Sequence, residues 1–300
     1  MNQDTVNQEP LISVIVAVFN GAQTLQRCID SVAGQTHPHK ELIIMDGGST
    51  DGTVDILRAN SDKITYWESE PDRGIYHAWN KALEHAKGDW ICFLGSDDYF
   101  WKPDVLERMR EHLVRAASVG IRVVYGQIAR VTELGEVVCL TGERWENIRQ
   151  QFLQRMIIPH PGLMHHKSLF EVHGKFDENF RISGDYEFLL RELKTREAYF
   201  INNLTVVGMQ VGGVSSDPAN KVQGLLEDAR ARRNNGIRPI TVLWIRTYLK
   251  AVIRPYLKRV LGEKLVRRLA IIEGRLAGHP SAWEKENLER EQHKIKSGVK

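Results

Sequence analysis

The feature that most constrains the fold is a regular alternation of strand-like and helix-like segments over the first hundred residues. Residues 11–19 form an apolar run rich in β-branched side chains, which is typical of a strand buried on both faces of a parallel sheet. Strands separated by helices predict right-handed crossovers and a mostly parallel, doubly wound α/β sheet. The predicted strands are 11–19, 41–45, 64–68 and 90–94, and the predicted helices are 21–33, 53–59 and 75–86.

From residue 99 onward the pattern becomes a looser mixture of helix and strand. The break with most linker character is Asn234-Asn235-Gly236, which Pro239 follows. It predicts a body over residues 1–235 and a separate segment over 236–300. The body's later elements are predicted as helices over 103–117, 186–193 and 218–234, a hairpin over 123–138, a loop or strand over 157–166 and a strand over 202–210.

Charge is divided unequally between these two parts. Residues 236–300 carry 15 Lys and Arg against 6 Asp and Glu, a net charge of +9, although the net charge of the whole chain is only +3. Residues 1–235 therefore have a net charge of −6. The chain is an acidic body followed by a basic segment.

The basic segment has the pattern of an amphipathic helix. Ile245, Leu249 and Val252 recur at helical spacing beside Arg246 and Lys250. Such a helix fits an anionic membrane surface, so residues 240–269 are predicted to contact one. The alternative is a helix that packs on the body with a solvated basic face. Nucleic acid is not predicted as a partner, because the body is acidic and has no recognisable binding module.

Targeting and redox features point to the cytoplasm. No apolar run approaches the ~20 residues of a membrane-spanning helix, and the first ten residues lack the basic-then-apolar pattern of a signal peptide. Cys28, Cys92 and Cys139 are isolated, so neither a disulfide framework nor a structural zinc site is predicted. Together with the basic segment, this predicts a cytoplasmic protein peripheral to the cytoplasmic face of a membrane.

A polar loop follows each of the four predicted parallel strands. Ligands of an open parallel sheet bind outside the carboxyl ends of its strands, so these loops are expected to line one crevice. The loops are Phe19-Asn20-Gly21, DGGSTDGT over 46–53, EPDRG over 70–74 and GSDD over 95–98.

The last of these loops has the chemistry of a metal site. Ser96, Asp97 and Asp98 follow a buried strand, so adjacent carboxylates are expected at its exit. Mg²⁺ or Mn²⁺ needs hard oxygen ligands, and it keeps only one or two protein carboxylates when it also bridges a diphosphate. The alternative is an Asp that caps the helix beginning near Pro103.

The second and third loops contain residues able to bind a nucleotide. Asp46 is able to accept a hydrogen bond from a base imide or a ribose hydroxyl, although a loop of this composition also forms an Asx turn. Arg73 precedes a glycine and a helix start, where a guanidinium binds phosphate as a charge-assisted fork. The alternative for Arg73 is a surface ion pair with Asp72.

Taken in order, four motifs resemble the large family 2 of glycosyltransferases, which are inverting enzymes of the GT-A fold that use nucleotide-diphospho-sugars. The resemblance is strong over residues 10–115 and weak to about residue 215. It implies a GT-A catalytic domain over 1–235, with a Rossmann-like sheet, a donor half over about 10–115 and an acceptor half over about 116–235. A basic amphipathic helical extension then occupies 236–300. The motifs are Val14-Ile15-Val16 leading to Phe19-Asn20, DGGSTDGT, EPDRGIYHAWNKAL and GDWICFLGSDD.

The resemblance also implies roles for the loop residues. Two positions depart from the family's motifs, because Gly47 and Gly95 stand where the family often has Asp. Ala17, Phe19 and Asn20 would line the base pocket, Asp46 would hold the base, most often uracil, Arg73 would lie near the diphosphate, Ser96 and Asp97 would contact the nucleotide sugar, and Asp97 and Asp98 would hold the metal.

The acceptor half is expected to supply a general base. Inverting transfer requires a carboxylate that removes the proton of the acceptor hydroxyl, while a metal stabilises the departing diphosphate. Residues 182–191 resemble the family's acceptor-side motif, which predicts Asp185 as the base and Glu187 as the alternative base. Asp185 is equally placed to cap its helix. His160 and Trp101 are predicted to contact the acceptor, and a structural loop histidine is the alternative for His160.

The sequence therefore predicts transfer of a sugar from a nucleotide-diphospho-sugar, a UDP-sugar, with Mg²⁺ or Mn²⁺. The predicted acceptor is a hydroxyl of a polyprenyl-diphosphate-linked or other glycan in surface polysaccharide biosynthesis. One rival is a sugar nucleotidyltransferase, which would normally have a Gly-rich loop with Arg and Lys after the first strand. The other is an inactive scaffold at a membrane surface that keeps the fold.

Overall fold

The computed structural model describes residues 9–132, 135–211 and 220–262. The chain divides into two compact units, Met1–Pro239 and Ile240–Lys300. Each unit is described by itself.

The described part of the first unit contains nine strands in one sheet and eight helices. The strands are β1 (Ile12–Val18), β2 (Lys40–Asp46), β3 (Tyr66–Ser69), β4 (Trp90–Gly95), β5 (Tyr99–Phe100), β6 (Val123–Val131), β7 (Val137–Thr141), β8 (Met164–His166) and β9 (Tyr199–Gln210). The helices are α1 (Leu25–Ala33), α2 (Thr53–Ala59), α3 (Ile75–Ala82), α4 (Val105–Ser118), α5 (Trp145–Phe152), α6 (Ser168–His173), α7 (Gly184–Leu193) and α8 (Lys221–Asn234).

The first four strands form the parallel sheet that the sequence predicts. Their order is β3-β2-β1-β4, and each neighbouring pair is parallel. The order in which strands are added to the sheet reverses at β1. β2 and β3 lie on one side of β1, and β4 lies on the other side, where Ala17 pairs with Gly95. This reversal opens a crevice at the carboxyl ends of the two strands, which is where ligands of such sheets bind.

The second half of the sheet corrects the prediction of a mostly parallel sheet. β8 lies antiparallel between β4 and β6, β9 is parallel to β6, and β5 is antiparallel to β9. A β6-β7 hairpin is present as predicted, with Glu133 and Leu134 of its turn outside the described residues. Antiparallel neighbours need no long helical crossover, so the helix-strand alternation does not reveal them.

Helices cover both faces of the sheet and enclose two apolar cores. Side chains of β1 alternate between the faces, so Val14 and Val16 belong to one core while Ile15 belongs to the other. The first core includes Ile29 of α1, and the second includes Tyr186 of α7. Full burial of one aliphatic side chain of this kind stabilises the fold by about 1.5–3 kcal/mol.

Some helix ends differ from the predicted ones. α1 begins at Leu25 and not at Gly21, and the backbone N–H groups of Gly21 and Ala22 ahead of it donate to Thr53 Oγ1 and Asp51 Oδ2. These bonds tie the start of the helix to the loop after β2. The predicted helix over 218–234 is seen from Lys221, and residues 218 and 219 lie outside the described residues.

The described part of the second unit contains one long helix, α9 (Val242–Leu261), which continues through Pro255. Among the described residues, no helix is long and apolar enough to cross a membrane. Residues 263–300 of the predicted extension lie outside the described residues.

Candidate active site

Hydrogen bonds between the first two loops form one wall of the crevice. The N–H of Asn20 donates to Ser49 Oγ at 2.7 Å, and the N–H of Thr50 donates to Asn20 Oδ1 at 3.0 Å. Asn20 has a φ of 51°, a left-handed conformation that Asn tolerates better than most residues. The side chain of Phe19 is exposed beside this joint.

Asp46 organises the second loop through its own carboxylate. The side chain is fully buried, and Oδ2 accepts hydrogen bonds from the N–H of Gly48, the N–H of Ser49 and the hydroxyl of Ser69. Oδ1 accepts a short hydrogen bond from Ser49 Oγ. The turn that the sequence offers as an alternative is thus present, and the base contact of Asp46 stays a prediction.

The third loop supplies a carboxylate that the sequence analysis did not assign to binding. Asp72 Oδ1 accepts hydrogen bonds from His77 Nδ1 at 2.9 Å and Lys81 Nζ at 3.0 Å, while none of the described residues donates one to Oδ2. Oδ2 lies 3.7 Å from the place that a Cβ on Gly47 would occupy, and the Phe19 ring lies 3.4 Å from the same place. Asp72 therefore faces the gap that Gly47 leaves beside Phe19.

The fourth loop brings two carboxylates together over Gly95. A Cβ on this glycine would lie 2.7 Å from Asp97 Oδ1 and 2.8 Å from Asp98 Oδ2. The missing side chain thus leaves a space that two carboxylate oxygens approach at once. Ser96 lies next to the first loop, since its Oγ is 3.3 Å from where a Cβ on Gly21 would be.

The electrostatics of this acidic turn fit a divalent cation. Burial, and then the charge of Asp97, raises the pKa of the Asp98 carboxyl to about 7. Asp98 accepts hydrogen bonds from the N–H groups of Gly95 and Gln210, each at 3.2 Å, which fix its orientation. A cation between the two carboxylates would relieve the cost of holding both charges, and oxygen ligands of this kind suit Mg²⁺ or Mn²⁺. Clusters of three or more His, Cys, Asp or Glu that could hold a metal do not occur among the described residues.

Arg27 of α1 contacts the turn formed by residues 95–98, which carries Asp97 and Asp98. Its Nη2 donates to the carbonyl of Asp97 at 2.7 Å and to Gln210 Oε1 at 3.0 Å, and its guanidinium lies 4.5 Å from the centre of the Tyr99 ring. These contacts join the turn to the ends of α1 and β9. Arg27 holds the backbone of the turn and leaves both carboxylates directed at Gly95.

Arg73 has a different partner from the one that the sequence suggests. The guanidinium pairs with Glu178 Oε2 at 2.6 Å and not with Asp72, and its side chain is 73% exposed. Glu178 Oε1 also accepts a hydrogen bond from Asn80 Nδ2 at 3.0 Å. This ion pair links the loop after β3 to the segment that precedes α7. The diphosphate contact of Arg73 stays a prediction.

Asp185 stands in the first turn of α7 beside a buried tyrosine of α3. Its Oδ1 accepts a hydrogen bond from the N–H of Tyr186 at 2.8 Å and lies 3.3 Å from the hydroxyl of Tyr76. Burial raises the pKa of the Asp185 carboxyl to about 6, and the two hydrogen bonds limit that rise. A carboxyl with this pKa is well suited to general base catalysis near neutral pH.

Two further carboxylates, on α8, surround the start of α7. Glu227 accepts hydrogen bonds from the N–H groups of Arg181, Ile182 and Ser183, in the turn that precedes α7. The N–H of Tyr186 in the first turn donates to Asp185 itself, so the capping role that the sequence offers as an alternative for Asp185 is present. Asp228 lies close by, and burial raises the pKa of its carboxyl to about 6.

Glu187, the predicted alternative base, is engaged by other side chains. The side chain is buried, and Oε1 and Oε2 accept hydrogen bonds from the guanidinium of Arg191 at 3.1 and 3.0 Å. Asn235 Nδ2 donates a further hydrogen bond to Oε1 at 3.3 Å. Glu187 thus ties α7 to Asn235, and its role as the alternative base stays a prediction.

The two predicted acceptor contacts both pack against the core. His160 is 8% exposed, its ring stacks on Trp79 at 5.2 Å, and burial lowers its pKa to about 3. The Trp101 ring is partly buried against the first core and stacks on Tyr99 at 6.2 Å. These surroundings agree with the alternative interpretation of His160 as a structural loop histidine. Acceptor binding by either residue stays a prediction.

Sequence reasoning missed four residues that the structure brings to this site. Asp72 lies within a recognised motif, but the sequence suggests only an ion pair with its neighbour Arg73. Tyr76 and Arg27 occupy helix positions with no local signal of function, and Asp228 lies on a helix whose sequence is mostly polar. Only spatial proximity identifies the last three.

Comparison with known proteins gives a family match and two informative relatives. The model for Glycosyl transferase family 2 matches residues 13–171. A PGL/p-HBAD biosynthesis glycosyltransferase of Mycobacterium bovis (strain BCG) is 29% identical over 266 residues, which cover 84% of this chain and 96% of that protein. The putative teichuronic acid biosynthesis glycosyltransferase TuaG of Bacillus subtilis is 42% identical over 111 residues, which cover 36% of this chain and 44% of that protein.

Solved structures confirm the predicted fold. TarS of S. aureus in complex with UDP matches with a TM-score of 0.57 at 17% identity, over 82% of this chain and 72% of that one. The mannosyltransferase PcManGT of Pyrobaculum calidifontis, in complex with GDP-Man and Mn²⁺, matches with a TM-score of 0.61 at 17% identity, over 91% and 82%. The architecture shared with these enzymes is the GT-A fold.

Proposed function

Because this chain belongs to glycosyl transferase family 2, we propose that it transfers a sugar from a nucleotide-diphospho-sugar, specifically a UDP-sugar, to a glycan hydroxyl with inversion at the anomeric carbon. The observation that carries the proposal is the convergence of Asp97 and Asp98 over Gly95 at the end of β4. This pair stands at the reversal point of the sheet, where a donor diphosphate and its cation would meet. The catalytic domain in this proposal is residues 1–235.

The donor would lie across the loops that follow β1 to β4. Phe19 and Asn20 line the end where the base would bind, with Ala17 beneath them in β1. Asp72 Oδ2 faces the same space and is able to accept the imide N–H of uracil, whereas Asp46 is occupied within its own loop. Arg73 would leave Glu178 and bind the diphosphate, or its guanidinium would bind both groups at once.

Asp97 and Asp98 would hold a Mg²⁺ or Mn²⁺ ion, with Ser96 beside the nucleotide sugar. The ion, when bound, supplies charge stabilisation to the departing nucleoside diphosphate. Asp185 takes the proton of the acceptor hydroxyl as the oxygen forms its bond to the anomeric carbon. The bond from that carbon to the phosphate oxygen breaks, and the electron pair leaves with the nucleoside diphosphate.

The relatives favour a surface glycan as the product, since one is named for teichuronic acid and one for PGL biosynthesis. We propose a polyprenyl-diphosphate-linked or other lipid-linked glycan as the acceptor. Such an acceptor lies at a membrane, and residues 240–269 would hold the enzyme at its anionic cytoplasmic face.

A donor screen tests the proposed function directly. The purified protein is incubated with UDP-, GDP- and dTDP-sugars, with and without Mn²⁺, and release of the corresponding nucleoside diphosphate is measured. We expect metal-dependent turnover of a UDP-sugar that increases with a glycan acceptor. Absence of turnover and of binding for every donor would favour the scaffold, and net synthesis of a nucleotide sugar would favour the nucleotidyltransferase.

The activity should increase with pH as Asp185 ionises. The catalytic form is the carboxylate, so kcat at saturating donor is expected to increase through a pKa of about 6 and to level off above it. The single proton of the Tyr76 hydroxyl lies between the carbonyl of Ile182 at 2.8 Å and Asp185 Oδ1 at 3.3 Å, and its contact with Asp185 favours the ionised carboxylate. Tyr76→Phe removes this contact, so the rising part of the pH profile should move to higher pH. An unchanged pH profile in Tyr76→Phe would contradict the link between the two residues.

Base recognition by Asp72 predicts a change in nucleotide preference. Asp72→Asn is expected to weaken UDP binding about tenfold, the effect of losing one charge-assisted hydrogen bond. CDP should lose less affinity, because an amide is able to donate to the cytosine ring nitrogen. The measurement is calorimetric titration of both nucleotides. Glu70→Gln in the same loop is the matched control, since Glu70 is exposed and the charge change is the same.

A second variant separates base recognition from loop damage. Gly47 has no left-handed φ, and the gap beside it faces Asp72, so Gly47→Asp returns a carboxylate to this space. In the Asp72→Asn background it should restore UDP binding. Equal UDP affinity in wild type and Asp72→Asn would refute the assignment without affecting the proposed transferase activity.

A further inference from the structure

One face of α9 exposes a row of large apolar side chains. They are between 38% and 76% exposed, and their spacing of three or four residues places them along one side of the helix. A contiguous apolar row of this kind is unusual on a soluble surface and marks a site of contact. The row consists of Val242, Ile245, Leu249, Val252 and Ile253.

Basic residues flank this apolar row. Arg246 and Lys250 are exposed and each directly follows a member of the row, so they lie along its edge. Residues 240–262 contain five Lys and Arg and no Asp or Glu. Trp244 and Tyr248 lie on another side of the helix, where they are half-buried and their rings stack at 5.0 Å.

The combination of an apolar row and uniform positive charge selects among possible partners. A second copy of the same helix would bring Arg246 and Lys250 close to the same two cations, which opposes self-association through this face. Nucleic acid would pair with the cations but would leave the apolar row in water. An anionic bilayer satisfies both, because its acyl boundary receives the apolar side chains while its headgroups pair with the basic edge.

We infer that the face of α9 formed by Val242, Ile245, Leu249, Val252 and Ile253 inserts into the interface of an anionic lipid bilayer, with Arg246 and Lys250 at the level of the headgroups. The inference rests on the proposed function for its purpose, since a lipid-linked acceptor requires the enzyme at a membrane. The binding itself is measurable without any transferase activity.

The test is sedimentation of the full chain with vesicles of phosphatidylcholine alone or mixed with phosphatidylglycerol. We expect binding to the anionic vesicles only, and binding weaker by about tenfold or more in about 1 M salt, where the Debye length is about 3 Å. The double variant Ile245→Glu and Leu249→Glu should lose binding by a similar factor or more. Leu226→Glu on α8 is the matched control, since Leu226 is 50% exposed and Leu249 is 49% exposed.

Each other outcome overturns the inference. These outcomes are equal binding to both vesicle types, equal binding by the double variant, or loss of binding by Leu226→Glu. A dimer that dissociates in the double variant, or retention of duplex DNA without vesicle binding, would assign the face to another partner. Turnover of a UDP-sugar with a water-soluble acceptor should be unchanged in the double variant. If the wild type does not turn over a UDP-sugar, this result would count against the proposed function and not against membrane binding by this face.

Discussion

Asp185→Asn is expected to lower kcat by about 10²–10⁴-fold, the usual contribution of a general base, and to leave donor affinity nearly unchanged. The amide keeps an oxygen that is able to accept the hydrogen bond from Tyr186 N–H. Glu227 still holds the turn that precedes α7, so the variant should fold. The only function removed is acceptance of the proton from the acceptor hydroxyl.

The measurement is steady-state transfer together with calorimetric titration of UDP. Asp177→Asn is the matched control, because among the described residues Asp177 Oδ1 accepts only the N–H and the side-chain amide of Asn179, within the turn before α7. This control should retain wild-type turnover. Full turnover by Asp185→Asn would refute its role as the base, and Asp228 would become the next carboxylate to test.

Asp97→Asn is expected to reduce transfer by at least about 100-fold, an effect consistent with losing charge stabilisation of the leaving group. None of the described residues donates a hydrogen bond to the Asp97 carboxylate, so the substitution should not disturb the fold. Asp98 is a less selective probe, because its two oxygens accept backbone N–H groups of Gly95 and Gln210.

Thermal stability gives the independent measurement for Asp97. Mn²⁺ added with UDP should raise the melting temperature of the wild type and have little effect on Asp97→Asn. Asp89→Asn is the matched control, since Asp89 lies just before the opposite end of β4 and pairs with Lys167. The metal assignment is wrong if Mn²⁺ stabilises both the wild type and Asp97→Asn to the same extent in the presence of UDP.

Asp185 and Asp98 have carboxyl groups whose pKa is raised for the same reason. Burial raises the pKa of both carboxyls, to about 6 and about 7. The charge of Asp97 adds to the rise at Asp98, and the charge of Glu227 adds to it at Asp185, while hydrogen bonds limit the rise at both carboxyls. Both pKa values lie near neutral pH, which suits the proposed proton acceptor at Asp185 and the proposed cation beside Asp98.

Local pattern was enough to predict the parallel half of the fold. The apolar runs and the helical spacing between them gave β1 to β4 and α1 to α3 in their observed order, because these signals depend on neighbouring residues. The same reasoning placed the four loops at one edge of the sheet. It missed the short strand β5 and left β8 open within a predicted loop or strand over 157–166, because two or three residues carry no periodic signal.

Within the site, the sequence by itself determined which loops carry carboxylates, and in Asp97, Asp98 and Asp185 it named residues whose surroundings suit their predicted chemistry. Only the tertiary structure decided the partners: Arg73 with Glu178, Glu187 with Arg191, and Asp72 with the gap beside Gly47. The physical reason is that secondary structure follows from local spacing. The charge and burial of a side chain depend on residues far away in the chain that folding brings within a few ångströms.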